Sequence, residues 1–157
     1  MVNKPKEIGT ACETAVVRHL VAHGFPSAER PALHGALDEG DITGTPGVAW
    51  EVKGGHAAES ASDAQIHAWM SETETERVNR RADVAVLVCK RKGKGAANAG
   101  SWWAFLPGWA YVHLAEAALA ENEWFYTGAG RLPVVRLLLA EAVALLRAAG
   151  YGDPLPL

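Results

Sequence analysis

Gly40-Asp41-Ile42-Thr43-Gly44-Thr45-Pro46-Gly47-Val48-Ala49-Trp50-Glu51-Val52-Lys53 is the stretch whose reading decides the fold. Side chains alternate across a β-strand, so Val48, Trp50 and Val52 fall on one face and Ala49, Glu51 and Lys53 on the other. Asp41–Gly44 reads as a second strand, joined to the first through Thr45-Pro46-Gly47. Pairing must keep Ile42 on the side of Trp50 and Val52, because a slip of one residue would mix apolar and charged sets. That register makes a three-residue loop of Thr45 to Gly47 and sets Asp41 opposite Glu51, with Cβ atoms roughly 5 Å apart. Pro46-Gly47 alone favours a two-residue type II turn and the other register. The hydrophobic pattern is the stronger constraint.

Two carboxylates at that distance repel, and something must compensate. Lys53, beside Glu51 on the same face, offsets part of the charge. A hard divalent cation, Mg²⁺ or Mn²⁺, would offset more, since such ions take one or two carboxylates plus water and phosphate oxygens. The ion would stabilise charge developing in phosphodiester hydrolysis and activate a water. Lys53 would then orient or deprotonate that water, or stabilise the transition state. The spacing alone favours a structural ion pair on a sheet surface, because ion pairs are common and Glu-x-Lys is a short pattern.

Outward from this hairpin, Lys6–His23 has helical spacing in Ile8, Cys12, Ala15, Val16 and Leu20, and Gly24 stops it. Glu13 falls inside that apolar stripe, where a carboxylate must be paired, bind a metal, or sit at the border with its head exposed. Ser27–Leu33 is expected as an edge strand because of Pro31, followed by a loop from His34 to Gly40. Asp38 and Glu39 in that loop are expected to be solvated. Ser62 opens a long helix to about Arg81, with Ser62 and Gln65 forming a capping box, which accounts for Gln65 without catalysis. Val84–Cys89 reads as a buried strand, Lys90–Gly100 as a basic loop and Ser101–Leu106 as a strand. Two helices, Pro107–Ala120 and Pro133–Ala149, are expected to finish the chain. The order is that of a mixed α/β sheet protein.

The chain has 157 residues, the size of a single domain, with 49% apolar and 21% charged residues. Its net charge of −3 is unevenly spread. Gly54–Glu76 holds five acidic residues and no Lys or Arg, whereas Arg77–Lys94 holds seven basic residues against Asp83. Lys90, Arg91, Lys92 and Lys94 leave the end of the buried strand and suit phosphates, although a charge run is equally a solvated face. No apolar run is long enough to span a bilayer, and Met1–Glu7 lacks the apolar core of a signal peptide. With only Cys12 and Cys89, a disulfide framework is not expected, and a cytoplasmic location is.

Gly40-Asp41-Ile42 followed by Trp50-Glu51-Val52-Lys53 resembles the signature of PD-(D/E)xK nucleases. Within that class the chain resembles the Holliday-junction resolvases of archaea and phages, which also open with a glutamate-bearing helix and a basic strand. Glu13 matches the helix glutamate and Arg30 the basic position. Gly40 stands where the class name has proline. The resemblance covers about residues 4–106 and implies one nuclease domain. That domain would be a restriction-endonuclease-like mixed central sheet flanked by helices, with a helical extension over 107–157. It implies a divalent-metal-dependent endonuclease on four-way or other branched DNA, with Asp41, Glu51 and Glu13 on the metal and Lys53 catalytic. Alternatives are another DNA substrate or a non-catalytic DNA-binding protein on the same fold. Arg30 and the Lys90–Lys94 cations would meet DNA.

Symmetric cutting of a junction needs two copies about a twofold axis, and the family works as homodimers. Val134, Leu137, Leu138, Leu139, Val143, Leu145 and Leu146 would surround most of the last helix, more than one core stripe needs. Either the preceding helix or a second copy would cover the excess. His19 and His23 have zinc-ligand spacing but no evident third ligand. Trp102 and Trp103 could stack on bases, but alternation sends at least one of them into the core.

Overall fold

The computed structural model describes residues 4–31, 40–119 and 134–154. The order is α1 (Lys4–Ala22), β1 (Val48–Lys53), α2 (Gly55–Glu59), α3 (Asp63–Arg80), β2 (Val84–Cys89), a 3₁₀ segment (Ala96–Ser101), β3 (Trp103–Pro107), α4 (Gly108–Leu119), β4 (Val134–Leu138) and α5 (Leu139–Ala148). The strands form one mixed sheet in the order β1-β2-β3-β4. β1 and β2 are parallel, joined by the α2–α3 crossover, and the other two pairings are antiparallel. The architecture is thus a mixed sheet between helices.

Each face of the sheet has its own core. Val48, Trp50 and Val52 join Val84, Val86, Val88, Ala104 and Leu106 against α1, α4 and α5. Ala49, Ala85, Leu87, Cys89 and Phe105 face the other way, toward Ala58, Ile66 and Met70 of α2 and α3. β2 is buried along its whole length, as its uninterrupted apolar run requires.

The hairpin keeps the expected register with a different turn. Ile42 bridges Trp50 in antiparallel fashion, which sets Asp41 against Glu51. The turn nonetheless closes from Val48 N–H to the Thr45 carbonyl, with Pro46 second and Gly47 third at φ +81°, the residue pattern of a type II turn. Gly44, at φ +77°, takes up the odd residue between turn and bridge. A Cβ there would also strike the Ser27 carbonyl. Both signals in the sequence were right, and a glycine reconciles them.

Several expectations change. Asp41–Gly44 is not a full strand: only the isolated bridges Ile42 to Trp50 and Glu29 to Thr43 form. The expected Ser27–Leu33 strand reduces to that Glu29 bridge among its described residues. The loop positions Asp38 and Glu39 lie outside the described residues. Ile8, counted in the apolar stripe of α1, is exposed. The basic loop contains a 3₁₀ turn, and α2 follows Gly54 directly. The largest correction concerns Pro133–Ala149. Val134–Leu138 is a strand on β3, and the helix starts only at Leu139. The β-branched pair Val134-Val135 suits a strand. The Glu141 carboxylate accepts from Leu138 N–H at 2.9 Å, marking the helix start. The apparent surplus of apolar residues around one helix is therefore divided between a strand and a helix.

Candidate active site

β1 presents Glu51 and Lys53 on the α3 side of the sheet, two residues apart, so their side chains lie side by side. Lys53 Nζ donates to Glu51 Oε1 at 2.5 Å and lies over the Trp69 ring at 5.8 Å. Asp41 stands across the hairpin. Its backbone N–H reaches the Trp50 carbonyl at 3.1 Å, and its Oδ2 accepts from Val52 N–H at 2.7 Å. The carboxylate is thereby fixed to the backbone between Glu51 and Lys53. Arg80 of α3 donates to the Ile42 carbonyl at 3.0 Å and ties the Asp41 segment down from the helix side.

The electrostatics follow from this packing. Burial, then the Glu51 charge, pushes the Asp41 carboxyl up to about 7; the Val52 N–H and Lys53 oppose the rise, and Glu13 adds to it. Burial also raises Glu51, with Lys53 opposing and Glu76 reinforcing the rise. Burial works to lower Lys53, but the hydrogen bond and charge of Glu51, with Asp41 and Glu72 behind it, outweigh burial and hold Lys53 above its usual value. The site is therefore two carboxylates that resist ionising together, beside an ammonium that keeps its proton.

Glu76 was missed as a site residue and was counted only within an acidic run. It comes from α3 and makes a carboxyl contact with Glu51. The signal lay in its position: Ile66, Met70 and Thr73 form the buried stripe of α3, and Glu76 continues it by three residues.

Glu13 and Arg30, the two residues drawn from the family resemblance, pair with each other. Arg30 Nε meets Glu13 Oε2 at 2.6 Å, and Arg30 Nη2 reaches the Thr10 hydroxyl at 3.3 Å. Glu13 is close enough for its charge to act on Asp41. Among the described residues, no three His, Cys, Asp or Glu side chains converge to hold a cation by themselves.

Of the basic residues expected on DNA, Lys90 is paired with Glu59, and Arg91 lies 4.2 Å from the Trp103 ring centroid. Lys92 and Lys94 are exposed. The Trp102 indole donates to the Lys94 carbonyl at 2.9 Å and anchors the loop. Trp102 is the core tryptophan and Trp103 its half-buried neighbour. Gln65 is exposed, and its backbone N–H donates to Ser62 Oγ at 3.2 Å, as a helix cap does. The His19 and His23 rings stack at 4.1 Å, and burial, then the His23 charge, lowers His19 to about 4.

The chain matches no protein-family profile, no curated protein and no solved structure. Among the described residues no helix is long and apolar enough to cross a membrane.

Proposed function

We propose that this chain is a divalent-metal-dependent DNA endonuclease of the PD-(D/E)xK kind, with Asp41, Glu51 and Lys53 as its centre. The observation that carries the reading is the opposition of Asp41 and Glu51, both raised by burial, around a lysine that stays charged. A structural ion pair needs one acid and one base. Here a second carboxylate is held on the Val52 N–H, and a third, Glu76, presses on the first. Fully ionised, that set is costly, and a proton or a bound cation must relieve it; above neutral pH the cation is the one that fits.

Mg²⁺ or Mn²⁺ fits this donor set, with Asp41 and Glu51 as ligands. Glu13 would complete the set by sharing its carboxylate with Arg30. When bound, the ion supplies Lewis-acid activation of the phosphate and of a water. The rest falls to the chain. The Val52 N–H orients Asp41, and the bond to Lys53 orients Glu51. Lys53, protonated, donates to a water or to a phosphate oxygen as negative charge develops there, rather than acting as the base. Arg30, Lys90, Arg91, Lys92 and Lys94 are proposed to meet the DNA backbone.

The proposed substrate is branched DNA, the four-way junction in particular, with two copies of the chain placing symmetric nicks. Incubation of a labelled junction and a linear duplex with Mg²⁺, Mn²⁺ or chelator tests both levels. Metal-dependent cutting of the junction in preference to the duplex is expected, with a dimer in light scattering. Equal activity in chelator would defeat the metal reading. A monomer that cuts duplex as readily as junction would leave a nuclease but not a resolvase.

A further inference from the structure

The register of the sheet lines up two rows on the face that carries the site. One runs Lys53, Cys89, Trp103, Leu138; the other runs Glu51, Leu87, Phe105, Arg136. Trp103 lies two strand spacings from Lys53, or ~10 Å. Two guanidiniums pack on its ring, Arg91 at 4.2 Å and Arg136 at 4.3 Å from the centroid. They come from different elements, Arg91 from the residues after β2 and Arg136 from β4.

What sets this pair apart is that two guanidiniums, neither with a carboxylate partner among the described residues, share one aromatic ring. Lys53 is paired with Glu51 and Lys90 with Glu59. Arg91 and Arg136 meet no carboxylate among the described residues, although the chain has more acidic than basic residues. Arg91 adds only a 3.5 Å contact with the Ser101 carbonyl, and Arg136 is exposed. The ring holds each cation in place and neutralises neither. Two oriented guanidiniums without an acid make a forked donor set suited to a phosphate.

We infer that Arg91, Trp103 and Arg136 form a clamp for a backbone phosphate of the DNA strand being cut, about three nucleotides from the scissile position. This rests on the nuclease reading of the Asp41–Glu51–Lys53 centre. The spacing follows from the ~10 Å between Trp103 and Lys53 and the ~3.4 Å of rise per nucleotide in one strand. Trp103 is the scaffold, and the two arginines make the contact.

The test is fluorescence anisotropy of a labelled oligonucleotide, single-stranded and as duplex, with Ca²⁺ in place of Mg²⁺, across a KCl series. Each lost phosphate contact lowers the slope of log affinity against log salt by roughly 0.7 for single strands and 0.9 for duplex. Arg136→Gln, at an exposed position, should lower it by about one contact and Arg91→Gln/Arg136→Gln by about two, with melting curves checking the fold. Arg91→Lys/Arg136→Lys should restore most of the slope. A wild-type chain that binds with a slope unchanged in Arg136→Gln and in the double variant overturns the clamp and leaves the nuclease reading standing. A wild-type chain that binds neither oligonucleotide nor a labelled four-way junction overturns both.

Discussion

One face of β1 is built for cohesion and the other for charge, although both hang on the same six residues. Val48, Trp50 and Val52 pack against α1 in the larger apolar core, and the Trp50 indole donates to the Thr45 hydroxyl at 3.1 Å, so its one polar atom is satisfied. Ala49, Glu51 and Lys53 face α3, and there Glu51 is 9% exposed with carboxylates on two sides. Apolar residues of the same volume would stabilise that second face. The contrast teaches that the first face supplies the stability against which the second holds like charges together.

The comparison breaks most visibly at Trp50. Trp50→Ala empties a fully buried site and removes one of the two hydrogen bonds of the Thr45 hydroxyl, which keeps its bond to the Val48 carbonyl, so about 3–5 kcal/mol of stability should go, read as a lower denaturation midpoint. Substitutions on the charged face should do the reverse. Asp41→Asn and Glu51→Gln should cut cleavage at least about a hundredfold while the metal-free protein melts no lower than wild type, and higher at pH 8.

The sign follows from linkage. Asp41 titrates near 7 in the fold against an ordinary 3.8. Its contribution to stability is therefore fully present below about 3.8 and is lost as pH rises through about 7. Metal-free wild type should melt lower at pH 8 than at pH 5, and Asp41→Asn should flatten that slope. Mg²⁺ should raise the melting point chiefly above pH 7. Melting points that do not differ between the two pH values would remove the charged-face account.

Smaller effects sharpen the picture. Glu76→Gln removes a charge that raises Glu51, so the acid limb of the pH–rate profile should move to lower pH. An unmoved limb would make Glu76 a bystander. Glu13→Gln breaks a partly exposed pair with Arg30 and should cost under about 1 kcal/mol. Its effect on cleavage should be smaller than that of Glu51→Gln, because Glu13 is already shared with Arg30.

Alternation within Val48–Lys53, the register with Ile42, the buried strand Val84–Cys89 and the cap at Ser62 could all be read from the sequence. Each is a local pattern with a single low-energy solution. Other features depend on distant partners. Val134–Leu138 has apolar residues that fit a helix or a strand, and the available edge of β3 decides between them. Asp41, Glu51 and Lys53 were legible as neighbours because a strand and a hairpin fix them. Glu76 was not, because its contact with Glu51 requires α3 to cross over β1. Arg136 was hidden for the same reason as β4: assigned to a helix, it could not be set beside Trp103.

The most direct test of the central claim is single-turnover cleavage of labelled DNA in Mg²⁺ by wild type and Glu51→Gln, each shown folded by its melting curve. The account predicts metal-dependent cutting by wild type and at least about a hundredfold loss in a variant that melts no lower. Undiminished cutting by folded Glu51→Gln, or wild-type cutting that persists in chelator, would contradict it.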